Sequence, residues 1–217
     1  MEPAEVARAI AAAVAIGHAL DLPTDDAIVV HNSNRLTLRL MSPPLFPVHL
    51  DDIPSNLTFH DCPDAPFTIG SSTVTAAFVS HQGPTVGYRI EEDGRSLAYL
   101  PDHEPAIGVQ LSSLGTDWLS GFSLIHGVDV LFHDAQYFDE EYPSHVGWGH
   151  SAVSHTVALA RRADARQVVL FHHDPAHSDA DLERLLAIAR DLWEDAPSAP
   201  VLAYEGMEIV LDGARSD

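Results

Sequence analysis

Four apolar runs in this chain stop at the same kind of residue, and that repetition limits the folds open to it. "AAFVSHQG" reaches His81, "SLAYLPDHE" reaches Asp102, "VDVLFHDAQ" ends in His133 and Asp134, and "QVVLFHHDP" ends in His172 and His173. Each run has the length and composition of a strand, bounded by polar or turn-forming residues. Imidazoles and carboxylates are costly inside an apolar core. Their strands must therefore bring them to a place where loops open. In layered α/β folds that place is a strand-end rim, where ligands gather. Neutral imidazole and carboxylate are also the ligand set of zinc, manganese and iron. Any one such residue is adequately explained as a polar loop group; four together point to a metal site.

The segments between these runs set the architecture. Pro3 and the Ala-rich stretch to Leu20 predict a helix, and Ala27 to Val30 a strand. Asn34 caps a predicted helix to about Met41, stopped by Pro43-Pro44. Strands are expected at Leu57–Phe59 and Thr73–Val79, and "TVGYRIE" and "RSLAYL" flank a hairpin turn. Val128–Phe132 and Gln167–Phe171 are strands. Ser151–Ala163 and Ser178–Trp193 are helices, the second capped by Ser178. "VLAY" and "MEIVL" predict a last hairpin. Hairpins come first, then strand–helix–strand–helix–strand. The order predicts an α/β layered fold with a mixed sheet, as one domain over residues 1–217.

Charge narrows the partners. The chain carries 32 acidic residues against 11 basic ones, for a formal net charge of −21, and every basic residue is arginine. That field opposes a phosphate backbone and attracts divalent cations. Strong nucleic-acid binding is not expected; a small-molecule substrate, nucleotide-like in kind, is. Cys62 is a single thiol, so no internal disulfide framework exists. "AIAAAVAIGHAL" follows an acidic flank, "MEPAEVAR", which reads as helix rather than signal peptide and places the protein in the cytoplasm. No apolar run approaches the ~20 residues of a membrane-spanning helix.

"HVGWGHSAV" fits G-x-G-x-x-A formally, but no strand immediately precedes it, so a dinucleotide site is rejected. Its glycines let backbone approach a ligand. His150 and Ser151 then open a helix, a position that suits an anion or a general acid. A plain helix cap is the equally weighted alternative. Trp148 lines a pocket or packs. No G-x-S-x-G or H-E-x-x-H motif is present. His49, His60, His103, His126, His145, His155, His173 and His177 read as surface or supporting groups, and Asp174 and Asp179 as solvent-facing.

The segments "SHQGPTVGYRIEEDGRSLAYLPDHE" and "GVDVLFHDAQYFDEEYPSHVGWGHSAVSHTVALARRADARQVVLFHHDP", and more loosely "LMSPPLFPVHL", resemble the metallo-β-lactamase superfamily in its ribonuclease Z-like and phosphodiesterase-like branch. The resemblance spans roughly Leu40 to Pro175. It implies an αββα sandwich. It also implies His81 as a ligand of a first metal, Asp102 as a bridge, and His172 as a ligand of a second. Asp134 and His150 become a proton-handling pair. The implied metal is divalent, zinc first, with manganese or iron as alternatives. The implied reaction is hydrolysis of a phosphodiester or small ester: a metal-bound hydroxide attacks and the histidine protonates the leaving group. Relatives of this kind often pair, so a homodimer is among the expectations.

One departure stands out. The superfamily's H-x-H-x-D-H loop is not in this sequence, and "HALDLPTDDAIVVH", His18 to His31, has the wrong spacing. The chain is therefore expected to start downstream of that loop, as an N-terminally incomplete sandwich. Two alternatives follow. The chain is a degenerate member serving as a binding or assembly module, or His81, Asp102 and His172 hold a single ferrous ion.

Overall fold

A computed structural model describes residues 26–32, 36–41, 62–193 and 198–211. The chain divides into two units, residues 1–60 and 61–217. In the first, strand β1 (Asp26–Asn32) pairs antiparallel with β2 (Leu36–Met41). The predicted helix from Asn34 to Met41 is thus corrected to a strand. Leu36, Leu38 and Leu40 alternate with Thr37, Arg39 and Met41, and that period of two outweighs the capping signal of Asn34. The predicted helix ending at Leu20 and the predicted strand at Leu57–Phe59 fall outside the described residues.

The second unit is built on a seven-stranded sheet. Its strands are β3 (Phe67–Ile69), β4 (Ser72–Val79), β5 (Thr85–Glu92), β6 (Arg95–Leu100), β7 (Val130–Asp134), β8 (Gln167–Phe171) and β9 (Val201–Leu202). They lie side by side in that order. β3 to β6 form an antiparallel meander, and β6 to β9 are parallel. Asp93 and Gly94 carry the β5–β6 turn at φ 49° and 72°, the positive angles that a two-residue hairpin loop needs for its twist to match the strands. Because β4 and β6 are each antiparallel to β5, they run parallel to one another. The C-terminal ends of β4, β6, β7 and β8 therefore share one edge of the sheet. The register keeps those ends level: His133 pairs with Leu100 on one side and Leu170 on the other.

Among the described residues, three α-helices accompany the sheet: α1 (Phe122–Ile125), α2 (Val153–Arg162) and α3 (Asp179–Trp193). α3 buries Leu185, Ala189 and Trp193 at four-residue spacing, one stripe of a helix facing a core. α2 buries Val153, Val157, Leu159 and Ala160 in the cluster that holds Leu100, Leu131, Val168 and Leu170. Full burial of each such leucine contributes about 1.5–3 kcal/mol. Ser178 starts α3 as expected: its amide donates to Asp181 Oδ2 at 3.0 Å and its hydroxyl accepts from the Asp181 amide at 3.4 Å. That reciprocal pair is a capping box. The predicted last hairpin is corrected. Only Val201–Leu202 joins the sheet, parallel to β8, while Met207 to Leu211 forms no strand. Val210 there is exposed, so the stretch gains little by docking. No described helix is long and apolar enough to cross a membrane.

A candidate metal and proton-transfer site at the strand ends

The shared edge collects the predicted residues. His81 follows β4, Asp102 follows β6, Asp134 is the last residue of β7, and His172 follows β8. His150 arrives on the loop before α2. The His81 and His150 rings stand edge to face with centroids 5.1 Å apart, and His150 stacks on His172 at 4.8 Å. His172 Nε2 lies 3.3 Å from Asp102 Oδ1. His172 itself has φ 57°, a left-handed conformation uncommon for a side-chain-bearing residue. That conformation turns the chain sharply off β8 and holds the imidazole at the rim. Backbone strain of this sort gathers at functional positions.

Asp134 organises the floor. It is fully buried. Its Oδ1 accepts from the Gln136 amide at 3.1 Å and the Ser151 amide at 3.0 Å. Its Oδ2 accepts from the His103 amide at 3.3 Å and from His150 Nδ1 at 2.6 Å. With both oxygens doubly engaged, Asp134 orients its neighbours rather than binding an ion. Because a carboxylate only accepts, His150 Nδ1 carries the proton and Nε2 is left for other work. Burial draws the His150 pKa down, but the hydrogen bond and charge of Asp134, with Asp102 and Glu104 behind, outweigh it and leave the group above its ordinary value. His81 moves the other way, lowered by burial first and by His150 next. Its Nδ1 accepts from the Gly83 amide at 3.3 Å and lies 3.0 Å from the Thr85 hydroxyl, so the neutral ring carries its proton on Nε2, where a bound metal would displace it.

Gly149 explains how His150 comes so close. At φ 93°, it lies where an added Cβ would sit 2.3 Å from His81 Cδ2 and 2.9 Å from His81 Cα. Only a residue without a side chain fits. Gly149→Ala is expected to cost about 1–3 kcal/mol through overpacking and to displace His81. Gly94→Ala serves as the comparison: it shares a positive φ of 72° but meets nothing within 4 Å. Urea unfolding should show the Gly149 variant clearly the less stable of the two; equal losses would remove the proposed close fit.

Beneath the rim lies a buried pair of histidines. His133 Nδ1 donates to the Asp134 carbonyl at 2.7 Å, so its Nε2 accepts from His103 Nδ1 at 2.8 Å. Both rings are fully buried, so His103, expected as a surface or supporting group, stands as an interior supporting one. Burial holds both pKa values down, and His103 is further lowered by His133. His155, near His133, is likewise lowered by burial. The sign follows directly. These histidines are neutral in the folded protein, while the unfolded chain takes up protons below about pH 6.5. Stability present above that pH is lost as pH falls through it. The urea midpoint should drop between pH 7.5 and 5.5, and the drop should shrink in His133→Gln; an unchanged drop would contradict the role assigned to His133.

The donor set fits a divalent metal. His81, Asp102 and His150 offer ligand atoms within 4.8 Å of one another, as do Asp134, His150 and His172. Two ligands of one tetrahedral ion, each about 2.1 Å from it, stand about 3.4 Å apart, which is the spacing of Asp102 and His172. His150 is common to both groups; with its Nδ1 and Asp134 committed to each other, the remaining donors are His81 and Asp102 from the first group and His172 from the second, Asp102 and His172 standing 3.3 Å apart. Glu104, absent from the sequence-based candidates, is fully buried and accepts from Tyr142 Oη at 2.6 Å and the Gly149 amide at 2.9 Å. Burial and this carboxylate push the Tyr142 hydroxyl up to about 12.

Comparison with known proteins adds to this geometry. A family model described as a beta-lactamase superfamily domain matches residues 27–173. Ribonuclease Z of Exiguobacterium sibiricum is 30% identical over 112 residues, which is 51% of this chain and 36% of that protein. Ribonuclease Z of Saccharolobus solfataricus is 30% identical over 117 residues, 54% of this chain and 35% of its own. The matched part of the chain thus spans about a third of the length of these curated relatives. Among solved structures, the metallo-beta-lactamase fold protein YhfI from Bacillus subtilis superposes with a TM-score of 0.52 at 21% identity, over 68% of this chain and 53% of that one. That likeness is one of fold.

Proposed function

The chain belongs to the metallo-β-lactamase superfamily, on its ribonuclease Z-like side, and from that membership we propose that it is a metal-dependent hydrolase of a small phosphodiester or similar ester. The observation that carries this reading is the juxtaposition at the rim. A His150–Asp134 pair at 2.6 Å stands beside an Asp102–His172 pair at 3.3 Å, with His81 against the first.

His81, Asp102 and His172 would hold the ion. A divalent cation, zinc first with manganese or iron as alternatives, supplies Lewis acidity and a water of lowered pKa when bound. The chain's own groups do the rest. Asp134 fixes the His150 tautomer and ring plane, which keeps Nε2 aimed away from the carboxylate. His150 Nε2 gives a proton to the departing oxygen and then regains it from solvent. Gly149 lets the loop press against His81, so the proton donor and the metal ligand stay at a fixed spacing.

Charge favours a small substrate over a polynucleotide. The net charge is −21, and no lysine is present. The arginines whose side chains are described are engaged elsewhere: Arg89 on the carbonyls of Leu124 and His126, Arg161 on that of Leu192, Arg162 on those of Leu111 and Leu114, Arg190 on that of Pro200, Arg95 and Arg166 on Asp129, and Arg184 on Glu140. The test is turnover of bis(p-nitrophenyl) phosphate with added zinc or manganese. Hydrolysis that is lost with chelator and in His172→Ala is expected. Turnover indifferent to both, or absent altogether, would leave the non-catalytic binding or assembly module as the better account.

A further inference from the structure

Four large apolar residues on neighbouring loops at one side of the rim are exposed. Ile107, Val109, Val146 and Trp148 are 57%, 44%, 41% and 53% exposed. They sit on two loops that touch: the backbone at Gly108 packs on Val146, with an added Cβ there coming within 2.9 Å of Val146 Cγ1. Ile107 lies 4.0 Å from the corresponding point on Gly147. The patch is continuous with the site, because Gly149 presses on His81 and Gln82 Nε2 donates to the Gly147 carbonyl at 3.2 Å.

The loop carrying Trp148 is held from behind. Glu104 accepts from the Gly147 amide at 3.0 and 3.1 Å with its two oxygens, from the Gly149 amide at 2.9 Å, and from the Tyr142 hydroxyl at 2.6 Å. A fully buried carboxylate needs such donors to be tolerated at all. Here the two amides on either side of Trp148 supply them, so the residue is fixed at the rim by its own backbone. The His145 ring stands edge to face against the indole at 4.8 Å. A large apolar side chain fixed in the open beside a catalytic centre loses hydration free energy until something covers it.

We propose that Trp148, with Ile107 and Val146, forms a subsite for the flat aromatic portion of a singly charged ester. The charge pattern selects this occupant. With no lysine in the chain and the arginines whose side chains are described engaged elsewhere, a second phosphate finds no free cation among the described residues, whereas an aromatic ring finds an indole and two aliphatic side chains. The proposal rests on the hydrolase reading only for the claim that the bound ester is a substrate; the subsite itself is tested by binding.

Calorimetric titration with diphenyl phosphate and dimethyl phosphate, at saturating zinc, makes the test independent of turnover. The full chain is expected to bind the diphenyl ester about tenfold or more tightly than the dimethyl ester, the size of an aromatic contact plus its burial. Trp148→Ala should bring the ratio to within about twofold, and Trp148→Phe should keep most of it. Trp148 is half exposed, so neither change threatens the fold. No preference in the wild type, or one untouched by Trp148→Ala, overturns the proposal. So does a dimer that Trp148→Ala turns into monomer with the ratio unchanged, since the patch would then be a face between copies. Absent turnover with the ratio intact would count against the hydrolase reading alone.

Discussion

Asp134→Ala is expected to be the most damaging single change at the rim, destabilising the protein by about 3–5 kcal/mol. The carboxylate is fully buried and receives three backbone amides and one imidazole. Truncation leaves each of those amides without an acceptor, at about 1–3 kcal/mol apiece before relaxation. Asp134→Asn separates structure from chemistry. The amide keeps one oxygen for the Gln136 and Ser151 donors while the His103 amide loses its acceptor, so the loss of stability should be smaller than in the alanine variant. Its NH₂ cannot accept from His150 Nδ1, and the imidazole must reverse its tautomer. Where a carboxylate–histidine pair is disarmed in that way, turnover falls on the order of 10⁴-fold. Urea unfolding and ester turnover on the two variants check both halves. An Asn variant with wild-type turnover would remove Asp134 from the proton pathway.

His150→Ala should lower turnover by on the order of 10²–10⁴-fold, with an effect that depends on the leaving group. A p-nitrophenolate leaves without help, so the loss should be smallest there. An alkoxide needs a proton as the bond breaks, and its loss should be at the top of the range. Parallel assays of an aryl and an alkyl diester read the difference. Equal losses on both would mean that His150 holds the site together without donating the proton.

The strand ends were legible because the sequence pattern and the sheet obey the same rule. Short apolar runs ending in His or Asp can share a rim only if their strands run the same way, and β4, β6, β7 and β8 do. His150 could be singled out because glycines flank Trp148 and a helix follows. Glu104 and His103 could not. They stand beside Asp102 in "PDHEP", where the sequence shows three polar residues in a row and nothing says which of them a distant loop will bury. The burial comes from residues 147–149 folding back, a contact more than forty positions away. The strand Leu36–Met41 was obscured by the opposite fault, a local capping signal read more strongly than the alternation behind it. The stretch from Met207 to Leu211 is apolar apart from Glu208 yet has no neighbouring strand to pair with among the described residues, and pairing is a property no single segment carries.

Equilibrium zinc binding by the full chain reads directly whether His81, Asp102 and His172 form a metal site. At least one zinc ion per chain is expected, with affinity reduced on the order of tenfold or more in His81→Ala and in His172→Ala, since each removes one of few ligands. His126→Ala, a ring stacked on Phe122 away from the cluster, should bind as the wild type does. Zinc binding that is absent in the wild type, or unchanged by both rim substitutions, would contradict the account.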